Sequence, residues 1–284
     1  MRRRTAVVLA ALSAPAVLAS AAYAASPATT RSSIQPSVVT SDDAPRVGKF
    51  LPAHPGAVLP RHDATVTSLN WAGWVVRPTT WVSGVQSTFT VPQAKLTPPG
   101  FSSSWAGIGG FDTSDLIQAG TASDSVAFGA PRYYAWMELL PASEGLLVNC
   151  TGDRNCTVSP GNRMGVDIHT VGPNIWSVTV VNAGHWSWHL NVTYHSKATS
   201  AEWILEAPSL GNVQTTVAQV GAAYFGRTSN YTTGGHRHTI AAGRPVKVNM
   251  GAGVGIEAVT SNLASNRQSF RVCTYKLSCA APPS

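Results

Sequence analysis

Beyond residue 67, short runs of β-branched and aromatic residues alternate with clusters of Gly, Pro, Asn and Ser. The runs fall at 71–76, 82–91, 116–120, 132–139, 163–169, 176–182, 185–195, 201–205, 215–224, 239–240, 246–250, 255–259 and 269–275. Nearly all have the length of a strand and are bounded by turn-forming residues. No long segment carries the 3.6-residue period of an amphipathic helix, and no unit recurs at a fixed spacing, which argues against a propeller. Evenly spaced short strands without helices predict an all-β sandwich or barrel.

Strand alternation also assigns faces. In "AEWILE", Glu202, Ile204 and Glu206 share one face, and Trp203 and Leu205 share the other. In "YYAWME", Tyr134, Trp136 and Glu138 point the same way, and in "LIQAG" Gln118 points opposite to Ile117. A face carrying Trp, Glu and Gln suits a binding groove. The plainer alternative is a solvated outer face with a few aromatics, and the pattern by itself does not separate the two.

The region before residue 67 differs. Arg2, Arg3 and Arg4 precede an apolar stretch of small residues that ends in Ala22-Tyr23-Ala24. This is the layout of a secretory signal peptide covering residues 1–24, and the apolar stretch is short for a membrane span. Residues 25–66 are expected to be a propeptide or linker, with processing near residues 60–68. The stretch "SPATTRSSIQPSVVTSDDAPR" has too little apolar content to build a core and is expected to be loose. The following "VGKFLPAHPGAVLPRH" is apolar enough to pack on the domain formed by residues 67–284.

The chain has four cysteines, Cys150, Cys156, Cys273 and Cys279. In an oxidising compartment they read as disulfides. Three connectivities are possible, and the local one is favoured. Neither pair has zinc-site spacing or adjacent histidines, so no metal site is expected. The formal net charge is +7, but the basic residues are scattered and do not form a nucleic-acid face. His185, His189 and His195 in "HWSWHLNVTYH", and His236 and His238 in "GGHRHT", read as surface or structural histidines. There is no G-x-S-x-G nucleophile elbow.

Four separated segments resemble the glutamic peptidase (eqolisin) family, in family order. "SLNWAGWVV" followed by "VQSTFTVPQ" resembles the opening of the mature enzymes, with Trp71 at a cleft tryptophan. "SSWAGIGGFDTSDLIQAGT" resembles the segment with the family's catalytic glutamine, at Gln118, and carries a second cleft tryptophan, Trp105. "RYYAWMELLPA" resembles the segment supplying cleft residues at Trp136 and Glu138. "SAEWILEAPS" resembles the segment with the catalytic glutamate; it holds two glutamates four apart, and the role is carried over to the second, Glu206, with Glu202 as its neighbour on the same face and the alternative if the register is shifted.

The resemblance implies a concanavalin A-like β-sandwich of two antiparallel sheets with a disordered or loosely packed N-terminal prosegment. It further implies an acid endopeptidase acting on protein or peptide substrates and insensitive to pepstatin. The signal peptide makes the protein secreted, nothing in the sequence calls for a cofactor, metal, nucleic-acid or membrane partner, and a monomer is the default expectation. The sequence departs from the family pattern at Gly109, Ala122 and Tyr134, where acidic residues are expected, and at Leu140, which replaces an aromatic.

Hydrolysis without a metal or a Ser/Cys nucleophile needs a base for water, an oxyanion donor and an acid for the leaving amine. Glu206 suits the first and third roles and Gln118 the second. Two other classes remain open on the residues alone. The many tryptophans suit a carbohydrate-binding sandwich, and Glu138 with Glu202 or Glu206 suits a glycoside hydrolase.

Overall fold

The computed structural model describes residues 35–40, 48–53, 59–60, 63–126, 129–252 and 255–283. The expected signal peptide lies outside the described residues, as do several stretches of the 25–66 segment. The described chain is almost entirely β. Its strands are β1 (Ser37–Thr40), β2 (Thr65–Ser68), β3 (Trp71–Val76), β4 (Val82–Thr90), β5 (Ser103–Gly109), β6 (Leu116–Asp124), β7 (Arg132–Leu139), β8 (Gly145–Val148), β9 (Arg163–Gly172) and β10 (Ile175–Asn182). They continue as β11 (Trp186–Thr193), β12 (Ala201–Glu206), β13 (Ser209–Leu210), β14 (Val213–Gln214), β15 (Ala222–Phe225), β16 (Asn230–Thr233), β17 (His236–Thr239), β18 (Val246–Ala252), β19 (Gly255–Thr260) and β20 (Phe270–Thr274).

These strands form two layers. The front layer runs β2–β18–β3–β12–β5–β6–β7–β8–β1. The back layer runs β17–β16–β4–β9–β10–β11. At one edge β19, β20 and β15 carry the hydrogen-bond ladder from β18 round to β4, so the layers are continuous. All of these pairings are antiparallel except β2 with β18.

The period-2 alternation sorts residues between two clusters. Ala106, Ile108, Ile117, Ala119, Trp203 and Leu205 point inward and pack with Val85, Phe89, Ile168, Val178 and Trp188 of the back layer. Fully burying one such large side chain contributes about 1.5–3 kcal/mol. Trp71, Trp105, Leu116, Trp136 and Ile204 point to the opposite face of the front layer and form a second cluster with Phe50 and Phe111. The face assignments made for 116–120, 132–139 and 201–206 therefore hold.

Several elements differ from the sequence expectation. β5 was not among the expected strands, because "SSWAGIG" is rich in Ser and Gly, which are weak strand formers. It forms because it is held on both edges, by β12 and β6. Residues 215–221, expected as strand, contribute only a bridge from Val217 to Phe101, and the strand there is limited to β15. Ile240 begins a 3-10 turn instead of extending β17. Ser37–Thr40, in a stretch expected to be loose, pairs along β8 as an edge strand. Both disulfides have the local connectivity, Cys150–Cys156 and Cys273–Cys279, with Cα separations of 5.3 and 5.5 Å.

Candidate active site

The front layer sets its polar side chains in rows. Glu202, Gly107, Gln118 and Glu138 stand directly opposite one another across β12, β5, β6 and β7. Ile204, Trp105, Gly120 and Trp136 form the next row on that face, and Glu206, Ser103, Ala122 and Tyr134 the one after. The middle row is thus an aromatic strip between a row holding Gln118 and a row holding Glu206. Gly120 makes room for it, since a Cβ there would lie 2.6 Å from the Trp105 Cβ.

Glu206 ends β12 and is buried. Its Oε1 accepts from the Gly48 backbone N–H at 2.7 Å and from Asn70 Nδ2 at 3.1 Å, and its Oε2 accepts from Trp105 Nε1 at 2.9 Å. Burial pushes its carboxyl well above the usual carboxylate range, and the charge of Glu138 adds to this. The Gly48, Trp105 and Asn70 donors oppose it.

Gln118 is fully buried, and its Nε2 donates to Glu138 Oε2 at 2.8 Å. The amide nitrogen donates and Glu138 Oε2 accepts, so this bond sets which end of the Gln118 amide faces β7. That leaves the second Nε2 hydrogen for another acceptor. The Gln118 side-chain oxygen has no hydrogen-bond partner. Gln118 does not bond Glu206 directly; Glu138 bonds the one and acts on the other through its charge.

Glu202 is also fully buried, and neither of its oxygens makes a hydrogen bond of good geometry. Burial raises its carboxyl well above the usual range. Ser200 is near enough to oppose the shift, and the charges of Asp112 and Asp115 add to it.

The structure adds residues to this site that the sequence did not single out. Glu144 is buried, raised by burial and by the charges of Glu138, Asp124 and Glu206. It lies in "PASEG", which reads as a surface turn. Asp124, at the end of β6, accepts from the Ser102 N–H at 3.2 Å, and burial pushes it up to about 7. Asn70 both reaches Glu206 and accepts from Ser68 Oγ at 2.9 Å. The available signal for Asn70 was its place beside Trp71 in "SLNWAGWVV".

The four departures have local reasons or neighbours. Gly109 has φ +92°, and a Cβ there would meet the Asp115 carbonyl at 2.5 Å, so an acidic side chain does not fit. Ala122 is buried in the front cluster, with Tyr134 and Leu140 packed against it. Of the tryptophans suited to stacking sugars, Trp176, Trp186, Trp188 and Trp203 belong to the core between the layers. His185, His189, His195 and His236 are exposed, and His189 Nε2 meets Ser177 Oγ at 3.1 Å. No group of three or more His, Cys, Asp or Glu side chains is arranged to hold a metal among the described residues.

The outer face is covered by the chain's own residues 48–51. Phe50 packs edge-on against Trp71, with ring centroids 5.8 Å apart, and against Phe111 at 4.6 Å. The sequence reading left that face as a binding groove or a solvated face; residues 48–51 belong to the "VGKFLPAHPGAVLPRH" stretch that was apolar enough to pack on the domain, and the structure places them over the Trp71 and Glu206 side.

The Peptidase A4 family model matches residues 69–274. Scytalido-glutamic peptidase, solved with a transition state analog inhibitor, superposes with a TM-score of 0.59 at 20% identity, covering 72% of this chain and 98% of that one. SCP-B, described as a member of the eqolisin family in a complex with the tripeptide Ala-Ile-His, gives a TM-score of 0.55 at 19% identity, covering 73% and 98%. No curated protein matches.

Proposed function

The chain belongs to the Peptidase A4 family, and on that footing we propose that it is a secreted acid endopeptidase in which Glu206 activates water and Gln118 stabilises the oxyanion. The observation that carries this reading is the environment of Glu206: a buried carboxylate gripped by three donors, on the same aromatic face as an amide whose orientation is held by Glu138.

In the proposed reaction, ionised Glu206 takes a proton from water as the water oxygen bonds to the scissile carbonyl carbon. The free Nε2 hydrogen of Gln118 donates to the resulting oxyanion. Glu206 then passes its proton to the amide nitrogen as the C–N bond breaks, releasing a carboxylic acid and an amine. Burial is the largest influence raising Glu206; uncovering the face relieves part of it and also removes the Gly48 N–H, which opposes it, while Trp105 and Asn70 remain to favour the ionised form. Trp71, Trp105 and Trp136 form the walls that hold the substrate, and Glu202, which stands in the row of Gln118 across Gly107 whereas Glu206 stands two rows further along β12, is the alternative base.

Residues 1–24 are proposed as a signal peptide and the segment that follows as a prosegment. Two disulfides fit an oxidising destination. The pairing of β2 along β18 supports a processing point before Thr65, where cleavage leaves that ladder intact. No metal is assigned a role, and the enzyme is expected to resist pepstatin.

The test is cleavage of a denatured protein from about pH 2 to 8, with pepstatin and a chelator present, beside Glu206→Gln and Gln118→Ala. Losing one oxyanion donor lowers kcat by about 10²–10³, and Glu206→Gln is expected to lose more. Near-normal turnover in either variant refutes the assignment.

A further inference from the structure

Residues 48–51 are held over Glu206 mainly through their backbone. Besides the Gly48 N–H on Glu206, Trp71 Nε1 donates to the Gly48 carbonyl at 2.9 Å and Asn70 Nδ2 to the Lys49 carbonyl at 3.0 Å. The Phe50 N–H donates to the Gly110 carbonyl at 3.0 Å. Asn70 Oδ1 accepts from the Leu51 N–H at 3.0 Å, and the Leu51 carbonyl accepts from the Leu69 N–H at 2.8 Å. Side-chain recognition is concentrated at one position: Lys49 is exposed, Leu51 is half-buried, and Phe50 is 4% exposed between Trp71 and Phe111.

Backbone capture of an extended segment with a pocket for one side chain is how a groove binds peptides of varied sequence. We propose that residues 48–51 lie in the catalytic groove as the leaving-group side of a substrate lies, and that the Trp71–Phe111 pocket selects a large apolar residue at the third position on that side. The inference rests on the reading of Glu206 given above. An acid that protonates a leaving amine must sit beside that nitrogen, and the nitrogen 2.7 Å from Glu206 Oε1 belongs to Gly48. Counting from it, Phe50 is third. In the unprocessed chain the segment therefore blocks the groove it mimics.

Two measurements test this. With the processed wild-type enzyme, peptide substrates differing only in Phe or Ala at that third position are compared. Burying a phenylalanine predicts a kcat/KM about 10–100-fold higher for Phe. Equal values overturn the pocket assignment.

With the full chain, a fluorescent peptide containing Val-Gly-Lys-Phe-Leu is titrated by anisotropy against wild type, Phe50→Ala, Phe50→Leu and Lys49→Ala. Wild type and Lys49→Ala are expected to exclude the probe, and Phe50→Ala to bind it at least tenfold more tightly than its Phe→Ala analogue. Phe50→Leu, which keeps an apolar side chain, is expected to fall between. Equal binding by wild type and Phe50→Ala, or equal binding of probe and analogue, overturns the mimicry. If the probe binds Phe50→Ala with this dependence but no form cleaves protein, the groove stands and the hydrolysis reading falls. If cleavage depends on Glu206 but neither test shows Phe dependence, the reverse holds.

Discussion

The Trp105 indole N–H donates to Glu206 Oε2 at 2.9 Å from the strand alongside, so the residue in the centre of the aromatic strip also holds the carboxylate. Trp105 and Glu206 are 101 residues apart in sequence, and only the β5–β12 pairing brings them together. The indole therefore both packs in the aromatic strip and holds one oxygen of the carboxylate.

Trp105→Phe keeps most of the ring and removes this donor. A hydrogen bond to a charged group is worth about 1.5–3 kcal/mol. The variant is expected to lose roughly tenfold or more in kcat/KM. The lost bond favours the ionised carboxyl, so its loss raises the pKa of Glu206 further. The acid limb of the pH–rate profile then moves to higher pH. An unchanged limb shows that the indole is only packing.

Glu138 is expected to act as a positioning residue through Gln118. Glu138→Gln replaces a group that only accepts with one that also donates, so the Gln118 amide is free to turn over. The expected outcome is a fall in kcat of about tenfold or more, with KM little changed. Glu138→Asp, which remains an acceptor, is expected to recover part of it. A change confined to KM points to substrate binding instead.

Stability should also depend on pH. Glu202, Glu144, Glu206 and Asp124 all titrate higher in the folded chain than they do when exposed, chiefly through burial. The folded chain then holds more of their protons than the unfolded chain does. Their favourable contribution is complete below the ordinary carboxylate pKa and is lost as pH rises through the folded values. Thermal melts of the full chain are expected to fall as pH rises above about 4, with the Asp124 share lost by about pH 7. Glu202→Gln, which removes a buried carboxyl whose oxygens make no hydrogen bond of good geometry, is expected to flatten that fall and raise the melting temperature at neutral pH. A curve identical to wild type shows that Glu202 stays ionised when folded.

The Cys150–Cys156 bridge closes a short loop, with a sequence separation of six. Constraint of the unfolded chain by such a loop is worth about 2 kcal/mol. Replacing both cysteines by serine is expected to lower stability by about that amount in urea unfolding, with cleavage activity retained. Loss of activity in a folded variant means that the loop shapes the groove.

The alternation of residues along 116–120, 132–139 and 201–206 was enough to place Gln118, Glu138 and Glu206 on one face, because a strand's side-chain period of two is local. The local disulfides and the sandwich class were equally legible, since close cysteines and regular turn spacing are also local signals. Four motifs in order pointed to the family. Three things needed the tertiary structure. β5 depends on being held between β12 and β6 rather than on the propensity of its Ser and Gly. Glu144 and Asp124 carry no local signal; packing removed water from both and put Glu144 near the charges of Glu138 and Asp124. The cover over Glu206 depends on residues 48–51 meeting Asn70, Trp71 and Gly110, a set of long-range backbone contacts that no local pattern encodes.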